Sequence, residues 1–259
     1  MNSLSIITAT YNAKATLRDC LRSIQKQTVS VEHIIVDGMS TDATLDIARE
    51  HSNSLTQIIA EPDSGLYDAM NKGLKRAGGD IIGILNADDF YPATDTLAKV
   101  MQVFDDPQVD ACYGDLLYVD ACNTKKIMRT WRSGSFTPAK FYWGWMPPHP
   151  TFFVRRSVYE KYGLFNLELG SAADYEIMLR FLVKYRLHTA YLPEVLVKMR
   201  TGGISNASIK NRLLANKMDR KAWKVNNLKP YPWTIPMKPL RKVGQWFCRK
   251  TESGAGDAS

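Results

Sequence analysis

The sequence predicts an α/β protein built on a mostly parallel sheet flanked by helices. Three observations lead there. Short apolar, β-branched runs alternate with segments of helical period over residues 1–105, and parallel strands need crossovers of that kind. The run Ile81-Ile82-Gly83-Ile84-Leu85 stops abruptly at Asn86-Ala87-Asp88-Asp89. A run without polar alternation reads as a strand buried on both faces. The second, third and fourth strands each end in an acid, Asp37, Asp63 and Asp88. In a parallel sheet these ends share one edge, where open α/β sheets bind ligands.

Each element has its own signal. Leu4 to Ala9 is the first strand, and Leu17, Leu21 and Ile24 give helical spacing to Ala13–Gln27. His33 to Val36 is the second strand. Ser40-Thr41-Asp42 then supplies N-cap chemistry for a helix through about Glu50. Gln57 to Ala60 is the third strand, and Ser64-Gly65 leads into a helix through about Arg76. Gly78-Gly79 stops that helix before the fourth strand, Asp80 to Leu85. A helix from Thr94 to Phe104 follows, then strands at Ala111–Val119 and Lys125–Trp131. The aromatic, proline-rich segment Phe141–Pro150 cannot be a regular helix. Thr151 to Val154 is a short strand. Ala172 to Tyr185 is an amphipathic helix with Ile177, Met178, Phe181 and Leu182 inward, and His188 to Leu192 is a strand. A further helix runs from Ser205 to about Val225. The four prolines Pro230, Pro232, Pro236 and Pro239 predict an irregular tail, and residues 251–259 read as disordered.

Charge divides the chain. Residues 1–204 carry 22 Lys/Arg against 23 Asp/Glu, whereas residues 205–250 carry 12 against one, Asp219. The expected organisation is a main domain over 1–204, with halves 1–105 and 106–204. A basic helical extension over 205–250 follows. Its basic residues are interleaved with Trp223, Trp233, Trp246 and Phe247, which suits an anionic membrane surface. Nucleic acid is a poorer fit, because the acidic strand-end edge suits a metal–diphosphate and not a polyphosphate backbone. Cys20, Cys112, Cys122 and Cys248 match no zinc spacing and read as reduced thiols. No run approaches the roughly 20 apolar residues that span a bilayer. The first residues lack a signal-peptide pattern, so the expected location is cytoplasmic, peripheral on the inner face of the membrane.

Adjacent carboxylates at a strand end repel unless a cation joins them. Mg2+ and Mn2+ take hard oxygen ligands and bridge carboxylates to substrate phosphates. Asp88 and Asp89 therefore read as a metal–diphosphate site. Thr8-Ala9-Thr10-Tyr11-Asn12 can stack and hydrogen-bond a nucleotide, or can form an ordinary turn capped by Asn12. Asp37 and Asp63 can hold a base N–H or a ribose hydroxyl, or cap a helix, and Lys72 can reach the same ligand. Several other sites are missing at sequence level: there is no G-x-G-x-x-G after the first strand, no P-loop and no G-x-S-x-G.

The motifs taken together resemble those of bacterial family 2 glycosyltransferases with the GT-A fold. The matching pieces are Ser5–Asn12, Ile35–Thr44, Glu61–Gly73, Leu85–Asp89 and Ala173–Glu176, in order and at the family's spacing. The resemblance implies a Rossmann-like sheet and a nucleotide-sugar donor held by Thr8, Thr10, Tyr11, Asn12, Asp37, Asp63, Lys72, Asn86, Ala87 and Asp88. It implies Mn2+ or Mg2+ on Asp88 and Asp89, although Asn86 stands where the family's DxD motif begins with an acid. It implies that Asp174 is the catalytic base, in preference to Glu176. Trp143, Trp145, His149, Glu176 and Arg200 are candidate acceptor residues. Core packing accounts equally for the tryptophans, and a structural ion pair for Arg200.

The expected reaction is an inverting transfer of a sugar to a glycan acceptor, carried on a polyprenyl diphosphate, in surface polysaccharide biosynthesis. The alternatives are a nucleotidyltransferase and a non-catalytic sugar-nucleotide or membrane-binding module. The first would need a basic Gly-rich loop that Thr10–Ala13 lacks.

Overall fold

The structure, a computed structural model, describes residues 2–202 and 209–244, with side chains described except at 209–213 and 242–244. The expectations for Ser205, Trp246, Phe247, Cys248 and the 251–259 tail lie outside the described residues.

The first half follows the sequence pattern closely. β1 (Leu4–Thr10), α1 (Leu17–Gln25), β2 (Glu32–Asp37), α2 (Thr44–Glu50), β3 (Thr56–Ala60), α3 (Leu66–Arg76), β4 (Ile81–Ile84) and α4 (Thr96–Val103) alternate in order. β1 pairs in parallel with β2 and β4, and β2 with β3. Alternate residues of β1 enter opposite layers. Ile7 joins Ile34, Met70 and Leu74, whereas Ile6 joins Ile24, Leu97 and Phe104. Helices on both faces are thus required by the pleat.

β5 (Ala111–Val119) organises the second half. β6 (Ile127–Trp131) and β7 (Phe153–Arg155) pair antiparallel with successive stretches of it, and β7 joins β4. β8 (Thr189–Arg200) runs parallel along β5. The sheet order is β3-β2-β1-β4-β7-β5-β6, with β8 added on β5. β8 is far longer than the strand expected at His188–Leu192. Pro193 and Glu194 interrupt the apolar pattern, but the register shift between Tyr113 and Asp115 of β5 absorbs them. A proline is tolerated at such a bulge.

Five α-helices complete this half and the C-terminal segment among the described residues. α5 (Pro138–Tyr142) ends where the aromatic segment begins, α6 is Arg156–Tyr162, and α7 is Ala173–Leu179. α7 continues as a π turn over Arg180–Lys184, and Ile177, Met178, Phe181 and Leu182 are all buried as expected. α8 is Ile209–Val225 and α9 is Thr234–Gly244. α9 corrects the expectation of an irregular proline tail. Pro236 falls in the first turn, where backbone N–H groups have no intrahelical acceptor. Only Pro239 interrupts the ladder. Tertiary bonds hold the helix in place: Thr234 Oγ1 donates to the Tyr142 carbonyl at 2.7 Å, and Lys238 pairs with Asp219. Ala222, Trp223 and Ile235 enter the main core, so the basic segment packs as part of the fold.

His33 lies on β2 with its ring buried and its Nε2 3.0 Å from Thr8 Oγ1. Burial lowers its pKa from 6.5 to about 4. The unfolded chain then binds a proton that the folded chain refuses, so stability falls as pH drops through this window. The full difference is about 3 kcal/mol. Thermal unfolding from pH 7 to pH 4 is expected to show this loss, and a His33→Gln variant a shallower slope. Parallel slopes would remove His33 as the cause.

Candidate active site

The carboxyl ends of β1 to β4 form one edge of the sheet. Thr10 of β1 faces Asp37 of β2, which faces Ala60 of β3. Burial then sorts the expected donor residues into two groups.

The buried group builds the edge. Thr8 has no exposure and bonds His33; Ala87 packs beside Leu17 and Leu21. Thr10 Oγ1 donates to Asp37 Oδ2 at 2.8 Å. Asp37 is itself buried, and its carboxylate also accepts the Ser40 N–H at 2.7 Å and hydroxyl at 2.6 Å. These four, expected at the donor, are buried, and Thr10 and Asp37 hold the strand-end turn together. Asn12, with φ 49°, accepts the Thr41 N–H at 2.9 Å and so caps the loop before α2. Met39 also has positive φ, 63°. The Asp37 bonds to Ser40 hold this tight reversal.

The second group remains accessible. Tyr11 is 66% exposed. Asp63, Lys72, Asn86 and Asp88 are half-buried. Asp63 lies directly over Gly38, where a Cβ would overlap its carboxylate. Its Oδ1 accepts the Gly65 N–H at 2.8 Å, which shapes the entry to α3. Lys72 reaches back to the Pro62 carbonyl and pairs with Glu61 at 3.1 Å.

The adjacent acids Asp88 and Asp89 part company. Asp89 has no exposure, accepts the Asn86 Nδ2 at 3.0 Å, and leaves its Oδ1 unpartnered. Burial, then the nearby Asp88 charge, pushes its pKa well up. Asp89, expected as a ligand beside Asp88, is thus buried beneath the loop. Asp88 is half-buried, and no hydrogen bond to a described residue engages its carboxylate. Arg200, a candidate acceptor residue, is 7% exposed. It donates to the Asp88 carbonyl at 2.7 Å, pairs with Asp19 and lies 5.1 Å from the Phe90 ring centre. It ties the strand-end loop to α1.

Across this edge stands Asp174 in the first turn of α7, half-buried, its Oδ1 accepting the Tyr175 N–H at 2.7 Å. The Tyr67 phenol of α3 lies near enough to Asp174 to feel its charge. Burial and the Asp174 charge raise the Tyr67 pKa, so it stays a phenol. His149 borders the same acid. Desolvation lowers its pKa, opposed by Asp174. The Phe165 ring packs against both, 5.3 Å from Tyr67 and 5.6 Å from His149. Asn71 clamps the Phe165 backbone from α3 with two buried bonds of 2.9 Å. Tyr67 and Phe165 were missed as site residues. Tyr67 and Asn71 lie within the Glu61–Gly73 motif, but only the fold brings Phe165 to them.

Glu176 is placed elsewhere. It is 2% exposed, pairs with Arg180 at 3.0 Å and accepts Asn226 Nδ2 at 2.9 Å. One helical step turns it from Asp174 towards α8, so it does not line the acceptor side. Trp145 is also core, its Nε1 donating to the Ser133 carbonyl at 2.9 Å. Trp143 is exposed and lies 5.7 Å from the Trp233 ring.

The fold has known counterparts. S. aureus TarS 1-349, solved with UDP-GlcNAc, matches with TM-score 0.67 at 18% identity, over 95% of this chain and 72% of that one. The mannosyltransferase PcManGT from Pyrobaculum calidifontis, solved with GDP-Man and Mn2+, matches with TM-score 0.64 at 18% identity, over 96% of this chain and 76% of that one. The architecture is that of the GT-A glycosyltransferases. The model of Glycosyl transferase family 2 matches residues 5–163, and the chain belongs to that family. A Mycobacterium bovis protein named PGL/p-HBAD biosynthesis glycosyltransferase is 34% identical over 215 residues, 81% of this chain and 82% of the relative. The protein is therefore a glycosyltransferase, and the nucleotidyltransferase and binding-module alternatives fall away.

Replacing Asn71 by Leu leaves the Phe165 N–H and carbonyl buried without partners. The expected loss is about 2–4 kcal/mol of unfolding free energy in urea titration. A loss below about 0.5 kcal/mol would show that the clamp is dispensable.

Proposed function

We propose that the protein transfers a sugar from a nucleoside-diphosphate sugar to a hydroxyl of a glycan acceptor, with inversion at the anomeric carbon. The observation that carries this is the half-buried carboxylate of Asp174, in the first turn of α7 beside the Tyr67 phenol and His149. A general base must sit within reach of the hydroxyl it deprotonates. Asp174 is the described carboxylate that faces this space from the α7 side.

In the proposed step the acceptor oxygen attacks the anomeric carbon. The bond from that carbon to the diphosphate oxygen breaks, and the diphosphate leaves with the electron pair. The acceptor proton passes to Asp174. A single base with no covalent intermediate inverts configuration. Tyr67 steadies the carboxylate as a neighbouring phenol, and His149, its pKa lowered by burial, walls the base. Tyr11 and Asp63 suit the nucleoside, and Asn86 the ribose or phosphate. Holding donor and acceptor in one frame supplies much of the acceleration.

The residues present fit a divalent ion. Asp88 offers an unengaged carboxylate at the strand end, and Mn2+ and Mg2+ are often held by one carboxylate and substrate phosphates. The described residues gather no three-ligand set of their own, so the donor phosphates would complete the coordination. When bound, the ion would neutralise the leaving diphosphate as a Lewis acid. The GDP-Man and Mn2+ of one structural neighbour and the UDP-GlcNAc of another support this donor class.

The acceptor proposed is lipid-linked, in surface polysaccharide biosynthesis, and the enzyme is proposed to work peripherally at the cytoplasmic face of the membrane. No described helix is long and apolar enough to cross a bilayer. The support for this part is the basic, aromatic C-terminal segment.

A thermal-shift series with UDP, GDP, dTDP and CMP, each with and without Mn2+, is expected to single out one diphosphate whose shift grows with the metal. Asp174→Asn should keep that shift and lose transfer by about 100-fold or more. Undiminished transfer would eliminate Asp174 as the base. Tyr67→Phe should lower kcat by about 10-fold or more with little change in the donor KM. An effect confined to KM would instead place Tyr67 in donor binding.

A further inference from the structure

The C-terminal segment contains a feature that the chemistry above does not use. Arg220 and Lys224 lie one turn apart on α8. Asn227, with φ 57°, then reverses the chain and returns Lys229 beside them. The three cations, with Asn227, Leu228 and Pro230, line an open pocket of about 650 Å³. All three are exposed, and none makes an ion pair or hydrogen bond with a described residue. By contrast, the neighbouring Lys221 and Lys238 are paired, with Glu168 and Asp219. Three like charges in one concavity repel one another until an anion joins them.

The chain leaving this pocket presents aromatic rings. Tyr231 and Trp233 stack at 5.0 Å, Trp143 lies 5.7 Å from Trp233, and Tyr142 lies 5.2 Å from Tyr231. Tyr231, Trp233 and Trp143 are 49%, 43% and 47% exposed. Exposed tryptophan and tyrosine beside unpaired cations are the composition of a membrane–water interface. The face is held rigidly. Trp223 is fully buried and donates to the Tyr175 hydroxyl at 2.8 Å, and Thr234 anchors α9 to Tyr142.

We propose that this face docks on an anionic phospholipid bilayer. The Arg220–Lys224–Lys229 pocket takes a lipid phosphate headgroup, and Tyr231, Trp233 and Trp143 settle at headgroup level. The assignment deepens the peripheral-membrane part of the proposed function and rests on it. Charge decides the occupant: three cations that pair with no acid among the described residues complement an anionic surface, and each is worth about a five-fold gain in partitioning there.

The test is co-sedimentation of the full chain with vesicles of phosphatidylcholine alone or with phosphatidylglycerol. The unmodified protein is expected to bind the anionic vesicles and not the zwitterionic ones. An Arg220→Gln, Lys224→Gln, Lys229→Gln variant should lose about 100-fold in partitioning. A Lys26→Gln, Lys125→Gln, Lys126→Gln control, with the same charge change elsewhere, should lose less than about five-fold. Both variants should keep the donor-induced thermal shift, which shows that they are folded. A Tyr231→Ser, Trp233→Ser pair should lose binding even at low salt. Equal loss in pocket variant and control would overturn the pocket assignment and leave the peripheral reading intact. Failure of the unmodified protein to bind anionic vesicles would overturn both. Binding to heparin but not to vesicles would assign the pocket to a soluble polyanion and overturn the proposal.

Discussion

The parallel pairing of β1 with β2 and β4 is the constraint on which the rest depends. Parallel strands end at one level, so every loop that follows them opens on the same side. The register Thr10–Asp37–Ala60 fixes that level. The hydrogen bonds from Thr10 and Ser40 to Asp37 then hold the loops tight against it. Asp63, Asn86 and Asp88 inherit their positions from this edge. α3, which starts from the β3 loop, carries Tyr67 across to Asp174. Asn71, one turn further on, holds Phe165 so that the wall behind His149 and Tyr67 stays in place.

A single rule sorts the acids of the site. In a strand-end loop or a helical turn, successive side chains point in different directions. Adjacent or near-adjacent acids therefore cannot share one task. Asp88 is half-buried while Asp89 is fully buried and bonded to Asn86. Asp174 faces Tyr67 while Glu176 is buried against Arg180 and Asn226. The buried member of each pair works as a support: Asp89 under the loop, Glu176 between α7 and α8. Asp89 also explains how the loop tolerates Asn86, because the amide donates where an acid could only repel.

Much of this was legible in the sequence. The alternation of strands and helices through Val103, the shared acidic edge and the α7 helix all follow from local periodicity and turn chemistry. Exposure was not legible. Thr8, Thr10, Asp37 and Ala87 sit in motifs of the right composition, but all four are buried. Long-range pairing was not legible either. β8 extends past Pro193 because β5 offers a compensating bulge, and α9 forms despite Pro236 and Pro239 because Tyr142 and Asp219 hold it. Tyr67 could have been found from its place in the Glu61–Gly73 motif. Phe165 could not, since nothing local marks it.

The two proposals meet in α7. Its first turn carries Asp174 on one side and Tyr175 and Glu176 on another. Tyr175 accepts from Trp223 and Glu176 from Asn226, so α8 is fastened to the turn that bears the base. Lys238 of α9 lies 3.5 Å from the Tyr175 ring centre, which fastens α9 there as well. The cationic pocket and aromatic shelf are thus rigidly joined to the base, and not hung from a linker. A glycan carried on a membrane lipid would meet the protein at a fixed orientation to Asp174. Positioning of that kind removes rotational freedom from the acceptor before the chemical step. A basic segment that only raised local concentration would need no buried Trp223, no Asn226–Glu176 bond and no Lys238–Asp219 pair.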